Sequence, residues 1–460
     1  LTFDEYLKGL KGRRVGVIGV GVSNMPLIET LLSHGVSVTA CDRRGIEDMA
    51  ADAEKLTAMG ASLRLGPEYL DNLDFDVIFR TPGLMPFEEH LAAAKSNGRI
   101  VTSEMEAFFE VCPCRTIAVT GSDGKTTTTT IISELLKAAG YTVHLGGNIG
   151  HPLFSEVPDM GPSDFAVLEL SSFQLHSMTC SPDVAVITNV SPNHLDKHPD
   201  FQDYVDAKSF IFQNQRADAR LILNRADGHT EYYASKAPSG VAFFSRGKAV
   251  ENGAFSDKGE IFCARDGLTE KIMDVSDIKL PGEHNVENYL AAFAAVDGLV
   301  PSDVCRSVAM TFAGVEHRLE LVRVLNGVTY INDSIGTSPT RTAAGLHAMK
   351  TKPILIAGGY DKHIPFDGLG DEICLYCKSV FITGATSGKI LDAIKNSKYF
   401  YPKKLKITVI DDFTQAVLEA SASAEPGDIV LLSPACAAFD KFKNFMERGK
   451  YFKELVMSLK

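Results

Sequence analysis

The chain has 460 residues, too many for one hydrophobic core, and at roughly 100 to 200 residues per domain it divides into about three. Apolar residues make up 45% and charged residues 23%, the balance of a globular protein rather than a fibrous or disordered one. With 46 Lys and Arg against 58 Asp and Glu the net charge is -12, which excludes a general grip on nucleic acid and requires any anionic ligand to find a local basic pocket.

No apolar run approaches the ~18 residues of a membrane span. The stretch LTFDEYLKGLKGRR lacks the apolar core of a secretion signal, so a cytoplasmic enzyme without membrane insertion is expected. The cysteines are odd in number and scattered, which argues against a disulfide framework. Cys374 and Cys377 form a lone C-x-x-C with no second pair at zinc-ribbon spacing, and read as buried thiols.

In chain order, RVGVIGV is a β-branched run ending in glycines and predicts a strand. SNMPLIETLLSHG then places Leu27, Ile28, Leu31 and Leu32 on one helical face, and VSVTACD is the next strand. The same order continues through DFDVIFRTPG and predicts a parallel α/β unit over residues 1–108. A second unit, 109–313, opens with the strand RTIAVTG, crosses a glycine loop into the helix KTTTTTIISELLKAAG, and continues through the strands FAVLEL and DVAVITNV. Within it, residues 240–275 predict an antiparallel appendage of short strands joined by Gly, Asn and Asp turns, followed by the helix NVENYLAAFAAVDGL. A third unit, 314–460, alternates the strands TYIND, PILIAGG, SVFITG and DIVLLSP with helices. The expected fold class is α/β with three domains, each a mostly parallel sheet flanked by helices: Rossmann-like, then P-loop ATPase, then Rossmann-like.

Gly19-Val20-Gly21 after the first strand begins a dinucleotide fingerprint, and Asp42 stands where an acidic ribose partner would sit. The third glycine is replaced by Asn24, and Arg43 and Arg44 follow Asp42, which suits phosphate or uracil groups as well as a ribose hydroxyl. The helix start beyond Gly21, with Val22 and Ser23, offers backbone N–H groups to an anion. A UDP-type ligand, an NAD-type cofactor and a purely structural turn all remain open at this turn. Thr81, Pro82 and Gly83 of RTPG lie at another strand end that reaches the same crevice.

The run TGSDGKTTTTT ends like a Walker loop but has Val119 where the first Walker glycine stands. Gly121, Ser122, Asp123 and Gly124 lead into Lys125, Thr126 and Thr127 at the mouth of a helix. Backbone N–H groups, helix dipole and ammonium therefore converge where a triphosphate would lie. Thr126 offers its hydroxyl to Mg²⁺. Successive threonines are poor helix formers unless something fixes the turn. LELSSFQL places Glu169 at a strand end, the usual address of a further Mg²⁺ ligand; NVSPNHLDKH places His194 just past the next strand, and DYVDAKSF places Lys208 on a helix.

At these residues the sequence resembles the Mur ligases, the ATP-dependent amino-acid ligases of peptidoglycan synthesis. GGNIG, ELSSFQL, LPGEHNVEN, HRLE, YINDS and above all LLSPACAAFDKFKNFMERG extend the resemblance over essentially the whole chain. It implies addition of D-glutamate to UDP-N-acetylmuramoyl-L-alanine through an acyl phosphate, with ATP and two Mg²⁺ ions, by a monomer whose third domain closes over the nucleotide.

The resemblance implies catalytic roles for Lys125, His194 and Lys208. Lys125 would grip the β- and γ-phosphates, Thr126 and Glu169 would hold the first Mg²⁺, and His194 and Lys208 would serve the second, Lys208 as a carbamate formed with CO₂. A carbamate needs a neutral amine first, so Lys208 should sit where its pKa is lowered. Asn285 and Asn288 resemble adenine-side residues, while Arg318 and Asp333 resemble residues reaching the nucleotide from the third domain. Asn148 and Ser171 resemble contacts to the muramoyl-alanine end, and Thr337, Lys362, Ala438, Phe439 and Phe445 match the D-glutamate pocket.

Two positions depart from the family pattern: Ile335 stands where members have lysine, and Ala438 where they have serine. Lys362 or Arg341 is then left to supply the charge. The rival readings are a ligase for another amino acid or a dipeptide, a nicotinamide-dependent oxidoreductase using the Gly19 turn, and a nucleotide-binding scaffold without catalysis.

Overall fold

The computed structural model describes every residue except 22, 193–196, 281, 350 and 362–364, and describes residue 367 without its side chain. Among the described residues the strands form three sheets. The first contains β1 (Val15–Ile18), β2 (Val38–Asp42), β3 (Ser62–Leu65), β4 (Val77–Phe79) and β5 (Ile100–Thr102), all parallel, in the order β3-β2-β1-β4-β5. β1 and β4 are buried at every residue, as expected of central strands in a sheet covered on both faces. Strand order reverses between them, so their carboxyl ends open the crevice where such sheets take ligands.

The second sheet contains β6 (Arg115–Thr120), β7 (Val143–Gly147), β8 (Phe165–Glu169), β9 (Val184–Ile187), β10 (Arg220–Asn224), β11 (Gly240–Arg246), β12 (Gly253–Asp257), β13 (Glu260–Arg265) and β14 (Leu268–Asp274). Its order is β14-β13-β12-β11-β10-β9-β6-β8-β7. Only β12, β13 and β14 run antiparallel; β11 lies parallel to β10, and β12 parallel to β11. The antiparallel appendage is thus shorter than the sequence predicts. The Gly and Asn residues between β11 and β12 serve a parallel connection with the same turn chemistry that a hairpin uses.

The Lys125–Ala138 helix follows β6 and buries Ile131, Ile132, Leu135 and Leu136 in one cluster with Tyr289, Leu290 and Phe293 of the Glu283–Val296 helix. Each such side chain contributes about 1.5–3 kcal/mol. The threonine run is accommodated because its hydroxyls have partners: Thr129 and Thr130 return to the carbonyls of Lys125 and Thr126 at 2.8 Å each, and Thr128 reaches Asn288 at 3.2 Å.

The first two sheets share a core. Phe3, Leu7 and Leu31 cluster with Phe154, Leu168 and Tyr204, and the Phe3 and Phe154 rings lie 5.2 Å apart. Leu1–Phe312 therefore forms one compact unit, and Ala313–Lys460 forms a second.

The sheet of the second unit contains β15 (Glu320–Leu325), β16 (Val328–Asn332), β17 (Ile354–Ala357), β18 (Ser379–Ile382), β19 (Lys406–Val409) and β20 (Ile429–Leu432), in the order β15-β16-β20-β17-β18-β19. It is parallel except for the β15–β16 hairpin. β15 and β19, absent from the sequence reading, are the edge strands; neither has the continuous burial that makes a strand conspicuous.

Arg448, on the Phe445–Ser458 helix, locks this unit together. It is 2% exposed, and its guanidinium donates to Ser334 Oγ (3.1 Å), Ser334 O (3.0 Å), Ala437 O (3.1 Å) and Cys436 O (3.0 Å). Burial lowers its pKa to about 10, which leaves it charged at neutral pH. Arg448→Ala leaves several buried acceptors unpaired at about 1–3 kcal/mol each, and is expected to destabilise the unit by about 3–5 kcal/mol. Scanning calorimetry should show an unfolding transition at lower temperature, with Arg448→Lys restoring only part of the loss; an unchanged thermogram would contradict the role.

Candidate active site

β6 runs straight into the glycine loop. Gly124 has φ +78°, and a Cβ there would collide with the Asn288 side chain, so glycine lets the Glu283–Val296 helix approach the loop. The loop backbone is pinned from the end of β9. Ser122 N donates to Asn189 O (2.8 Å) and Asp123 N to Asn189 Oδ1 (2.9 Å), while Asp123 O accepts from Thr188 Oγ1 (2.6 Å) and Asn189 Nδ2 (3.1 Å). Ser122 Oγ donates to Ser191 O and lies 3.0 Å from the Tyr204 hydroxyl. Thr188, Asn189 and Tyr204 escaped the sequence reading; the pairing of β9 beside β6 brings Thr188 and Asn189 to the loop, and the Phe201–Ser209 helix carries Tyr204.

Two amines meet at one carbonyl oxygen. Lys125 Nζ lies 2.9 Å from both Gly121 O and Ser122 O, and Lys208 Nζ lies 2.9 Å from the same Gly121 O. Lys208 is 1% exposed and sits 4.3 Å from the centroid of the Tyr204 ring. Burial, and then the charge of Lys125, push its pKa well below the ordinary lysine range, with Asp123 opposing. The geometry therefore favours a neutral amine at Lys208.

On the first turn of the helix, Thr126 Oγ1 donates to Glu169 Oε2 at 2.6 Å, and Asn148 Nδ2 donates to Glu169 Oε1 at 2.6 Å. Glu169 is 2% exposed. Gly147, at φ +96°, would drive a Cβ into the Glu169 backbone, so glycine is what allows Asn148 to reach this carboxylate. A buried carboxylate beside a hydroxyl at the mouth of a phosphate loop is a hard oxygen pair, a donor set that fits Mg²⁺. Asn288 Nδ2 donates to Asn285 Oδ1 at 3.0 Å, which joins the two expected adenine-side residues beside the loop. His194 lies outside the described residues.

At the carboxyl ends of β1 and β4, the Cβ that Gly19 lacks would meet the Thr81 side chain at 2.9 Å, so the two predicted turns do share one crevice. Asn24 explains its own presence in place of glycine. It is 1% exposed, and its Nδ2 donates to Ile18 O (3.0 Å) and Gly19 O (3.1 Å), pinning the loop to the end of β1. Asp42 is committed to the same loop, accepting from Val20 N (2.7 Å), Arg44 N (2.9 Å) and Arg44 Nε (3.0 Å). Burial raises its pKa, but Arg44 and the backbone N–H groups outweigh burial and the net shift is downward. Arg43 and Arg44 are exposed, as are Gly21 and Gly83; Val22 lies outside the described residues.

Ser23 and Pro82 line a cleft with Gly147 and Gln174, so the expected UDP side faces the loops that carry Asn148 and Ser171. Ser171 caps the Ser172–Leu175 helix, donating to Gln174 Oε1 at 2.9 Å and accepting from Gln174 N at 3.3 Å. The sequence reading passed over Arg80 in RTPG. It is fully buried and donates to Ser177 Oγ (2.6 Å), Phe173 O (2.9 Å) and Leu84 O (3.1 Å), tying the end of β4 to the segment after β8.

In the second unit, Asp333 follows β16 and accepts from Ser433 Oγ (2.7 Å) and Leu319 N (3.3 Å). Burial raises its pKa from 3.8 to about 6, against the pull of Ser433, Leu319, Arg318 and Arg341. Around it the expected amino-acid segments meet. Ser334 Oγ donates to Phe445 O (2.8 Å), Ala435 N to Gly336 O (2.8 Å), and Tyr360 N to Ala437 O (2.9 Å). Thr337 is half-buried, Ala438 is buried, and Phe439 is 63% exposed with its ring edge against Tyr360. Ile335 is half-buried and donates its backbone N–H to His317 O at 3.1 Å. Lys362 lies outside the described residues.

Residues 119–296 match the Mur ligase middle domain, and residues 317–436 match the Mur ligase glutamate ligase domain. A protein of Acetivibrio thermocellus named UDP-N-acetylmuramoylalanine--D-glutamate ligase is 50% identical over 460 residues, covering 99% of this chain and 98% of that protein. The chain belongs to the Mur ligase family. A second relative of the same name, from Clostridium beijerinckii, is 48% identical over 458 residues and 99% of both chains. Among solved structures, the Mur ligase fold recurs in MurC of Thermotoga maritima, a UDP-N-acetylmuramate-alanine ligase (TM-score 0.56, 18% identity, 97% of this chain and 100% of that one). It recurs also in the Thermotoga maritima MurF ligase in complex with ADP (TM-score 0.55, 18% identity, 98% and 97%).

The raised pKa of Asp333 in this Mur ligase has a measurable consequence. The folded state holds the proton more tightly than the unfolded chain, so this group favours folding below its ordinary value of 3.8, and that contribution is lost as pH rises through about 6. At about 1.4 kcal/mol per pKa unit, the loss is about 3 kcal/mol between ~pH 4 and ~pH 7. Denaturation at a series of pH values should show the native protein losing roughly this much relative to Asp333→Asn; parallel curves would contradict the assignment.

Proposed function

We propose that the chain is the ATP-dependent ligase that joins D-glutamate to UDP-N-acetylmuramoyl-L-alanine, a step of peptidoglycan precursor synthesis. The observation that carries the proposal is the convergence of Lys125 and the buried Lys208 on the Gly121 carbonyl, beside the Thr126–Glu169 pair. The full-length relatives bearing that activity in their names support the choice of amino acid. Residues 1–108 serve the UDP end of the substrate, 109–313 the ATP, and 314–460 the D-glutamate.

A carboxylate is a poor electrophile, so amide formation in water needs activation. The L-alanyl carboxylate attacks the γ-phosphorus of ATP, forming an acyl phosphate and releasing ADP. The D-glutamate amine then adds to the acyl carbon, and the tetrahedral intermediate expels inorganic phosphate as the nitrogen loses its proton. Lys125 and the N–H groups at the start of the Lys125–Ala138 helix hold the β- and γ-phosphates, so catalysis is mainly positioning and charge stabilisation. Thr126 and Glu169 would hold one Mg²⁺, and His194 with Lys208 a second. Ions held there would supply neutralisation of phosphate charge.

The neutral amine that the buried site favours at Lys208 would add CO₂, forming an N–C bond and releasing a proton, so that a side chain that would repel Mg²⁺ when protonated becomes an anionic ligand. D-Glutamate brings two carboxylates, which Lys362 or Arg341 would meet in place of the lysine that Ile335 replaces. Asn148 and Ser171, on loops facing the crevice of β1 and β4, are assigned to the muramoyl-alanine end.

Lys125→Ala is expected to reduce ATP turnover by at least ~10³-fold, the scale of lost electrostatic stabilisation at a reacting phosphate, while calorimetric binding of UDP-N-acetylmuramoyl-L-alanine stays within a few-fold of native. Equal loss of both in a folded variant would contradict the division of labour.

A further inference from the structure

We infer that His198 is a positioning residue of this ligase: held by Asp203, its imidazole braces the Glu169 segment, through Ser172, against the helix that carries Lys208. The inference rests on the proposed nucleotide site and names what fixes its geometry.

His198 is 2% exposed, with Nδ1 2.6 Å from Asp203 Oδ2 and Nε2 2.9 Å from Ser172 Oγ. A neutral imidazole has one donor and one acceptor nitrogen, and an ionised carboxylate only accepts. Asp203 therefore accepts the hydrogen bond of Nδ1–H, and Nε2 hydrogen-bonds the Ser172 hydroxyl. The other oxygen of Asp203 meets His176 Nε2 at 2.9 Å. The His198 ring stacks on Phe173 at 5.5 Å and 14°, and meets Tyr204 edge-on at 5.2 Å and 79°. Tyr204 in turn touches Ser122 of the phosphate loop with its hydroxyl and Lys208 Nζ with its ring.

One imidazole thus contacts two segments that carry the expected metal ligands. Ser172 and Phe173 follow Glu169 at the end of β8, while Asp203 and Tyr204 lie on the Phe201–Ser209 helix with Lys208. Metal ligands tolerate displacements of only about 0.5 Å, and loss of the hydrogen bonds that orient them typically costs about 10–100-fold in affinity or activity. The Ser172–His198–Asp203 set has the residue types of a nucleophilic triad, yet Ser172 is 3% exposed in the first turn of a capped helix, so it serves as a brace and not as a nucleophile. His176, His198 and Asp203 also bring ligand atoms within 4.8 Å of one another, but those atoms are engaged with each other and with Ser172.

The test is calorimetric binding of a non-hydrolysable ATP analogue to the full chain, with and without Mg²⁺, for the native protein, His198→Ala, Ser172→Ala and Asp203→Asn. Ser172→Ala removes a single hydroxyl and guards against misfolding in the larger change. The expected result is a drop of about 10-fold or more in Mg²⁺-dependent affinity, unchanged affinity without Mg²⁺, and a double variant of His198 and Ser172 no worse than His198→Ala alone. Equal affinities with and without the substitutions, or equal losses with and without Mg²⁺, would overturn the role. Stoichiometric Zn²⁺ binding abolished by His198→Ala would overturn it in favour of a resident metal. Because the readout is binding, native protein that takes Mg²⁺ and nucleotide but ignores D-glutamate would sink the proposed reaction and leave this inference standing.

Discussion

The carbonyl oxygen of Gly121 accepts from two lysines, and much of the central sheet is arranged around that fact. Lys125 is the first residue of the helix that leaves the phosphate loop; Lys208 arrives from a separate helix and is buried. Two full charges on one oxygen in a buried site repel, and burial, then the charge of Lys125, pushes the Lys208 pKa well below the ordinary lysine range. That condition requires a rigid loop, and Thr188, Asn189, Ser191 and Tyr204 hold it through backbone and side-chain bonds. They reach it because β9 and β8 flank β6 in the parallel order, which gathers the three carboxyl ends on one edge.

How much of this was legible in the sequence follows from the same physics. Strand-loop-helix motifs are local, so the phosphate loop stood out by spacing and Glu169 by its place at a strand end, whereas the role expected of Lys208 came from the family resemblance; the parallel order of β6, β8 and β9 gathers the loop and Glu169. Braces are non-local. Arg80, Arg448 and His198 each read in sequence as an ordinary polar side chain, and only burial with several acceptors around them reveals what they do. Asn24 illustrates the intermediate case: as a missing glycine it weakened the dinucleotide fingerprint, and the structure shows that its amide secures the very turn the fingerprint describes.

The fold was legible to a similar degree. Central strands announced themselves by continuous apolar runs, whereas the edge strands β15 and β19 did not. The turn residues around β11 and β12 signalled reversals without specifying whether the next strand would run parallel or antiparallel. In the second unit, the segments containing Ser334, Ala437 and Phe445 come together around Arg448, and Ile335, read in sequence as a departure from the family pattern, is half-buried beside Ser334. His194, Lys362 and Val22 lie outside the described residues.

The most direct measurement is phosphate release from ATP and Mg²⁺ in the presence of UDP-N-acetylmuramoyl-L-alanine, with D-glutamate set against L-glutamate, L-alanine and meso-diaminopimelate. The account requires release that depends on D-glutamate. Release that depends on a different amino acid, or no release with any of them, would contradict it.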